Sequence, residues 1–160
     1  MKAFVVDVNV PIVANGGAPQ ADLDCQYACV AALQEIAESG LLVLDDQMRI
    51  LAEYFRYLSP RGQPGLGDAF MRWVWEQQAV SERCEQVHLT VSGAGFNEFP
   101  DDPRLSGFDP SDRVYVAVAR ASRNAPEVLN AVDPDWWEHR GAWSQNGVRV
   151  SFLCPQHVAS

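Results

Sequence analysis

Six aspartates in this chain fall at or beside the ends of apolar runs. Asp7 interrupts FVVDVNV, Asp45 and Asp46 close LLVLDD, and Asp133 and Asp135 follow EVLNAV. Asp112 lies in the first turn of the helix that leads into that last run. Parallel α/β sheets place ligands beyond the carboxyl ends of their strands, where strand order reverses. Carboxylates converging there repel and raise one another's pKa, so an ionised cluster needs a cation. Hard oxygen donors at an open site suit Mg²⁺ or Mn²⁺. Such ions bind a phosphodiester, acidify a bound water and stabilise the leaving oxygen. Each acid also has a plainer reading. Asp112 suits a helix N-terminus, Asp133-Pro134-Asp135 a turn, and Asp45-Asp46 a helix cap. Asp7 is the exception, because a charge within a buried strand is costly unless it is paired or metal-bound.

The elements needed to position these acids are legible as hydrophobic patterns. Strands are predicted over residues 3–8, 41–45, 86–91, 127–132 and 148–154. A helix capped by Asp22 or Asp24 runs to Ser39, with Gly40 as its stop. A second helix spans about residues 47–58, with Ile50, Leu51, Tyr54, Phe55 and Leu58 on one face. A third runs from an Asp68 cap to about residue 83, and a fourth begins near Ser111 with Val114, Val118 and Ala121 inward. The stretch from Ser92 to Pro110 is predicted to be irregular; loops of that length are uncommon and often functional, so a lid or substrate groove is expected there. Strands alternating with helices predict a single α/β domain over residues 1–160, with helices on both faces of a parallel sheet.

Composition narrows the function classes. Twelve Lys and Arg against 21 Asp and Glu leave a net charge of −9, which argues against nucleic-acid binding by bulk charge. Lys2 is the only lysine. No apolar run is long enough for a membrane span. MKAFVVDVNVPIV carries Asp7 and Asn9 and lacks a small-residue cleavage site, so it reads as a first strand, and the expected location is cytoplasmic. Cys25, Cys29, Cys84 and Cys154 form no C-x-x-C pair and are expected to be buried and reduced. No spacing supports a zinc site drawing on His88, His139 or His157.

Other strand-end aspartate chemistries fit poorly. A haloacid-dehalogenase-type phosphatase needs D-x-D, and the second position here is Asn9. A response-regulator receiver needs a lysine late in the chain. GQPGLG (62–67) lacks the Lys-Ser/Thr of a phosphate-binding loop.

Four segments in order resemble a PIN-domain nuclease. Val5-Val6-Asp7-Val8-Asn9 is similar to the family's D-[ST]-N opening, with Val8 in place of the hydroxyl. Arg49-Ile50-Leu51-Ala52-Glu53-Tyr54 is similar to the helix carrying the second acid. Asp112-Arg113-Val114-Tyr115-Val116-Ala117-Val118-Ala119 resembles D-x-x-[FY]-[VL]-x-x-A. Asn130-Ala131-Val132-Asp133-Pro134-Asp135-Trp136 is similar to T-x-D-x-D-[FL], with one extra residue. The resemblance spans nearly the whole chain, with residues 59–108 the least typical.

The resemblance implies a three-layer α/β/α sandwich around a five-stranded, mostly parallel sheet, and Mg²⁺- or Mn²⁺-dependent phosphodiester hydrolysis, most often of RNA. It implies that Asp7, Glu53, Asp112 and Asp133 hold the metal with Asp135 adjacent, and that Asn9 orients Asp7 or a metal-bound water. The extra residue leaves Asp133 or Asp135 as the fourth ligand. Glu53 lies opposite the apolar stripe of its helix, which leaves Asp46 as its alternative. Arg113, Arg140 and Trp136 are the substrate-contact candidates, with Arg104, Arg120 and Arg123 as further phosphate contacts; solvated helix faces and core packing are their plainer readings. The expected function is a PIN-like ribonuclease, as a toxin of a toxin–antitoxin pair or another defence effector. Expected partners are RNA, an antitoxin or other protein, and a second copy, with no membrane. The alternatives are a non-catalytic binding module and a small metal-dependent phosphoester hydrolase.

Overall fold

In the computed structural model, which describes residues 1–158, five strands form one parallel sheet. They are β1 (Ala3–Val6), β2 (Leu41–Asp45), β3 (Cys84–Val87), β6 (Glu127–Asn130) and β7 (Arg149–Phe152). A two-stranded antiparallel hairpin, β4 (Val91–Ser92) with β5 (Gly95–Phe96), stands apart. The sheet order is β3-β2-β1-β6-β7. From β1 the chain builds outward through β2 to β3, then returns to the other side of β1 for β6 and β7. The order therefore reverses between β1 and β6, the place where α/β sheets bind ligands. Helices cover both faces, making a three-layer α/β/α sandwich.

Burial explains the strand sequences. All four residues of β1 are buried, because β2 and β6 flank its edges and helices cover its faces. The edge strand β3 buries only Cys84 and Val87. Helix α2 (Leu23–Ser39) begins where the Asp22 carboxylate accepts the Cys25 N–H at 2.9 Å, and it buries Cys25, Cys29, Leu33 and Ile36. Helix α3 (Arg49–Tyr57) turns Ile50, Leu51 and Tyr54 inward. Helix α5 (Arg113–Ala121) buries all of Val114 to Ala119, far more than the predicted stripe, because it packs on β1, β2 and β6 and on α3.

Several boundaries differ from expectation. The predicted first strand stops at Val6, and residues 9–14 form a short helix, α1 (Asn9–Ala14). Pro11 is tolerated there because the first turn of a helix has no internal partner for its missing N–H. Helix α4 (Leu66–Gln77) starts at a Gly65 cap, and Asp68 lies inside it. Asp68 reaches back to the N–H groups of Gly65 at 3.0 Å and Ser59 at 2.8 Å. Gly67 packs so closely on the Pro11 carbonyl that any Cβ would collide with it. The third sheet strand ends at Val87, because His88 turns to Asp46 and the chain enters the hairpin. The 92–110 stretch is more ordered than predicted. It holds β5 and a 3₁₀ turn at Pro103–Leu105, and a second turn at Pro110–Asp112 follows from it.

The cysteines overturn an expectation. Cys25 on α2 and Cys154 after β7 form a disulfide, with Cα atoms 5.2 Å apart. Both lie in the core, where the fold brings together segments 129 residues apart in sequence. Cys29 and Cys84 are buried free thiols, and burial pushes both up to about 12. Among the described residues, no helix is long and apolar enough to cross a membrane.

Candidate metal centre

The chain leaves β1 through Asp7, whose N–H still bonds the Leu129 carbonyl of β6 at 3.1 Å. That bond holds Asp7 at the switch point. Oδ1 of Asp7 accepts the backbone N–H of Asn9 at 3.0 Å, whereas Oδ2 is buried with no partner among the described residues. The Asn9 side chain reaches across to β6, where its Oδ1 accepts the Ala131 N–H at 2.8 Å. Asn9 thus orients Asp7 through its backbone and clamps the two strand exits together through its side chain.

Asp133 arrives from β6. Its Oδ1 caps helix α6 (Pro134–Glu138) by accepting the Asp135 N–H at 2.9 Å. Its own N–H donates to Oδ1 of the fully buried Asn130 at 3.3 Å. Asp112 ends the 3₁₀ turn that opens α5. One carboxylate oxygen from each of Asp7, Asp112 and Asp133 lies within 4.8 Å of the others.

The electrostatics follow from that crowding. Burial raises Asp7 to about 7, opposed by the Asn9 N–H and reinforced by repulsion from Asp133 and Glu53. The Trp136 indole favours the charged form from nearby, although its N–H completes no hydrogen bond among the described residues. Asp112 is raised to about 9 by partial burial and by repulsion from Asp7, Asp133 and Asp109. Asp133 is also raised, chiefly by burial. Asp112 and Asp133 each bear on the other's titration, since one oxygen of each lies within 4.8 Å of the other. Without a cation, the trio keeps protons near neutral pH.

The other candidates lie elsewhere. Glu53 pairs with Arg56 at 3.4 Å and falls outside the trio, although its charge is felt at Asp7. Asp46 is held by His88 at 3.0 Å, so it does not replace Glu53. Asp45 accepts the N–H groups of Gln47, Arg49 and Ile50 and caps α3. Asp135 accepts the Asp109 N–H at 2.9 Å and meets His139 at 3.3 Å, fastening a loop. The trio therefore contains Asp133 and excludes Asp135.

The expected substrate contacts are largely engaged internally. Arg113 donates to the carbonyls of Leu105, Ser106 and Phe108 and lies over Phe99. Arg140 donates to the Trp137 carbonyl and stacks on the Trp137 ring. Arg120 binds the carbonyls of Glu98 and Asn146, and Arg104 pairs with Asp102 at 2.6 Å. Trp136 is fully buried against Phe108 and Trp143, so it has no face to offer a base.

Sequence reasoning missed Asn130, Tyr54 and Tyr115. The Tyr54 hydroxyl donates to the Val6 carbonyl, supporting the strand just before Asp7. Tyr115 is buried beside Asp7, its hydroxyl without a partner among the described residues and its pKa pushed up by burial. Polar residues within buried elements were the available signal for all three.

These residues fit a hard divalent cation: all three donors are oxygens, and the buried Asp7 carboxylate carries an oxygen with no partner among the described residues. No family model matches this chain, and no curated protein or solved structure matches it either.

Proposed function

We propose that this protein is a metal-dependent, PIN-like nuclease that hydrolyses phosphodiester bonds in RNA. Asp7, Asp112 and Asp133 would hold Mg²⁺ or Mn²⁺. The observation that carries the reading is the buried Asp7 carboxylate at the sheet's switch point: its Oδ2 has no partner among the described residues, and one of its oxygens lies within 4.8 Å of an oxygen of both Asp112 and Asp133. When bound, the ion supplies a more acidic water and a positive charge for the phosphoryl oxygens. The chain's own residues do the rest. Asn9 and Asn130 fix the two strand exits, and the Asp135 N–H orients Asp133. Glu53, the acid the resemblance also assigns to the metal, lies outside the trio and pairs with Arg56, and its charge is felt at Asp7. A toxin or other defence role belongs to the same proposal, with an antitoxin or second copy as protein partner.

Single-stranded RNA incubated with the protein and Mn²⁺ should be cleaved, and Asp7→Asn and Asp112→Asn should each abolish cleavage. Activity that survives both substitutions sinks the proposal.

The internal engagement of Arg104, Arg113, Arg120 and Arg140 favours a second reading, a metal-binding module without catalysis. Calorimetric Mn²⁺ binding that is lost in Asp7→Asn, with no cleavage of RNA, would select it. Hydrolysis of generic phosphomonoesters with RNA untouched would select a small phosphoester hydrolase instead.

A further inference from the structure

Three buried donors accompany the aspartate trio. Tyr115 stands three residues after Asp112, Asn130 three before Asp133, and Trp136 three after it. The Tyr115 hydroxyl, Asn130 Nδ2 and Trp136 Nε1 are buried without a hydrogen-bond partner among the described residues, as is Oδ2 of Asp7. A folded core normally satisfies such groups, so each one left unpaired calls for a reason. Packing supplies none at the two aromatic positions, because an apolar ring would fill the space without an unpaired polar atom.

Of the three, Trp136 is the donor felt at Asp7. Helix α6 opens on the Asp133 cap and carries Trp136 in its first turn, so one element delivers both a carboxylate of the trio and the indole. The fully buried ring is clamped by Phe108 at 5.0 Å and Trp143 at 5.2 Å, and its backbone carbonyl accepts the Trp143 indole N–H at 3.0 Å. The indole is therefore fixed, near enough to favour the ionised Asp7. Asn130 instead commits its Oδ1 to the Asp133 N–H, and the Tyr115 hydroxyl is free to rotate.

We propose that Trp136 is a positioning residue of the metal centre, its indole N–H donating to the Asp7 carboxylate when the trio holds a divalent cation. This role rests on the metal-centre reading above. A carboxylate ligand is ionised, and an N–H given to an ionised oxygen makes a shorter, stronger bond than one given to a neutral carboxyl. A small reorientation of Asp7 closes that bond, because the clamped indole cannot move to meet it. Asp7 already accepts the Asn9 N–H at 3.0 Å. Two donors, one from the backbone of α1 and one from α6, then fix the rotation of the carboxylate and leave its remaining lone pairs for the ion. Trp136 acts through Asp7 and touches no substrate.

The indole N–H signals of the ¹⁵N-labelled full chain report the bond directly, with that of Trp136 assigned through its own through-bond correlations. Diamagnetic Mg²⁺ should move the Trp136 signal downfield in the parent and leave it in place in Asp7→Asn. Trp136→Phe keeps an aromatic ring against Phe108 and Trp143 but removes the donor, and its Mn²⁺ affinity by calorimetry should fall roughly 10-fold or more. Trp137→Phe removes the neighbouring indole N–H and should bind Mn²⁺ as the parent does. If Trp136→Phe fails to fold, the parent's Trp136 signal decides alone. A parent that binds both ions while that signal stays put overturns the positioning role and leaves the metal centre standing. So does a Trp136→Phe protein with the parent's affinity, or an equal loss in Trp137→Phe. A parent that binds neither ion overturns the metal centre itself, and this role with it.

Discussion

Oδ1 of Asn9 accepts the Ala131 N–H at 2.8 Å, joining the first turn after β1 to the first turn after β6 across 122 residues of chain. The same residue's backbone N–H holds Oδ1 of Asp7. One asparagine therefore sets the distance between the strand exits that deliver Asp7 and Asp133.

Asn9→Ala should leave the Ala131 N–H without its partner and cost about 1–3 kcal/mol of stability. It should also weaken Mn²⁺ binding by roughly 10-fold or more, since the carboxylates lose their spacing. Denaturant titration and calorimetry measure the two effects. Unchanged Mn²⁺ affinity would remove Asn9 from the framework of the site.

The trio makes the metal-free protein sensitive to alkali. Asp7 is raised from 3.8 to about 7, and Asp112 from 3.8 to about 9. The folded state therefore holds protons that the unfolded chain releases first. Stability contributed by these groups is full below the unfolded value and falls as pH rises through that window. Melting in chelator should show the decline, and Mn²⁺ should suppress it. Asp7→Asn removes the charge that burial penalises. Metal-free Asp7→Asn protein should accordingly melt above the parent once pH exceeds about 7, and the order should reverse with Mn²⁺. A parent whose melting temperature rises from acid to neutral pH in chelator, with Asp7→Asn tracking it, contradicts this account.

Asp45 is a control for strand-end acids. Its carboxylate already serves three N–H groups at 3.0–3.1 Å. Asp45→Ala should cost about 1–3 kcal/mol through loss of the α3 cap and leave Mn²⁺ affinity at the parent value. A large drop in affinity would place Asp45 in the metal centre.

Phe108 packs edge-on to Trp136 at 5.0 Å and Trp143 at 4.9 Å. Phe108→Ala should therefore cost about 3–5 kcal/mol, read from the denaturation midpoint. A cost under about 1 kcal/mol would mean that this aromatic cluster is not core.

The centre of the sheet was legible because β1 and β2 are apolar on both faces. Strand β2 matches residues 41–45 to the residue, bounded by Gly40 and the Asp45 cap. Helix α1 was hidden because Pro11 and β-branched neighbours read as extended chain; its packing on α2 and α4 overrides that local preference. Asp7 was legible because a charge in an apolar strand demands a partner. The choice of Asp133 over Asp135 was not, because it depends on how Asn130 bends the chain beyond β6. Nor was the Cys25–Cys154 bond, since spacing alone carries no connectivity.

The long segment before α5 bears on how substrate would arrive. Thr90 and Arg120 grip Glu98, Asn146 holds Asp102, Asp135 holds Asp109, and Arg113 gathers three of its carbonyls. Its polar, glycine-bearing composition suggests a gate, yet it is riveted to the body on both sides. It acts as a standing wall, and Asp112 inherits the wall's rigidity. Encounter with substrate would then be set by diffusion and charge rather than by waiting for an opening. With a net charge of −9, that encounter should quicken as salt screens the repulsion between protein and nucleic acid.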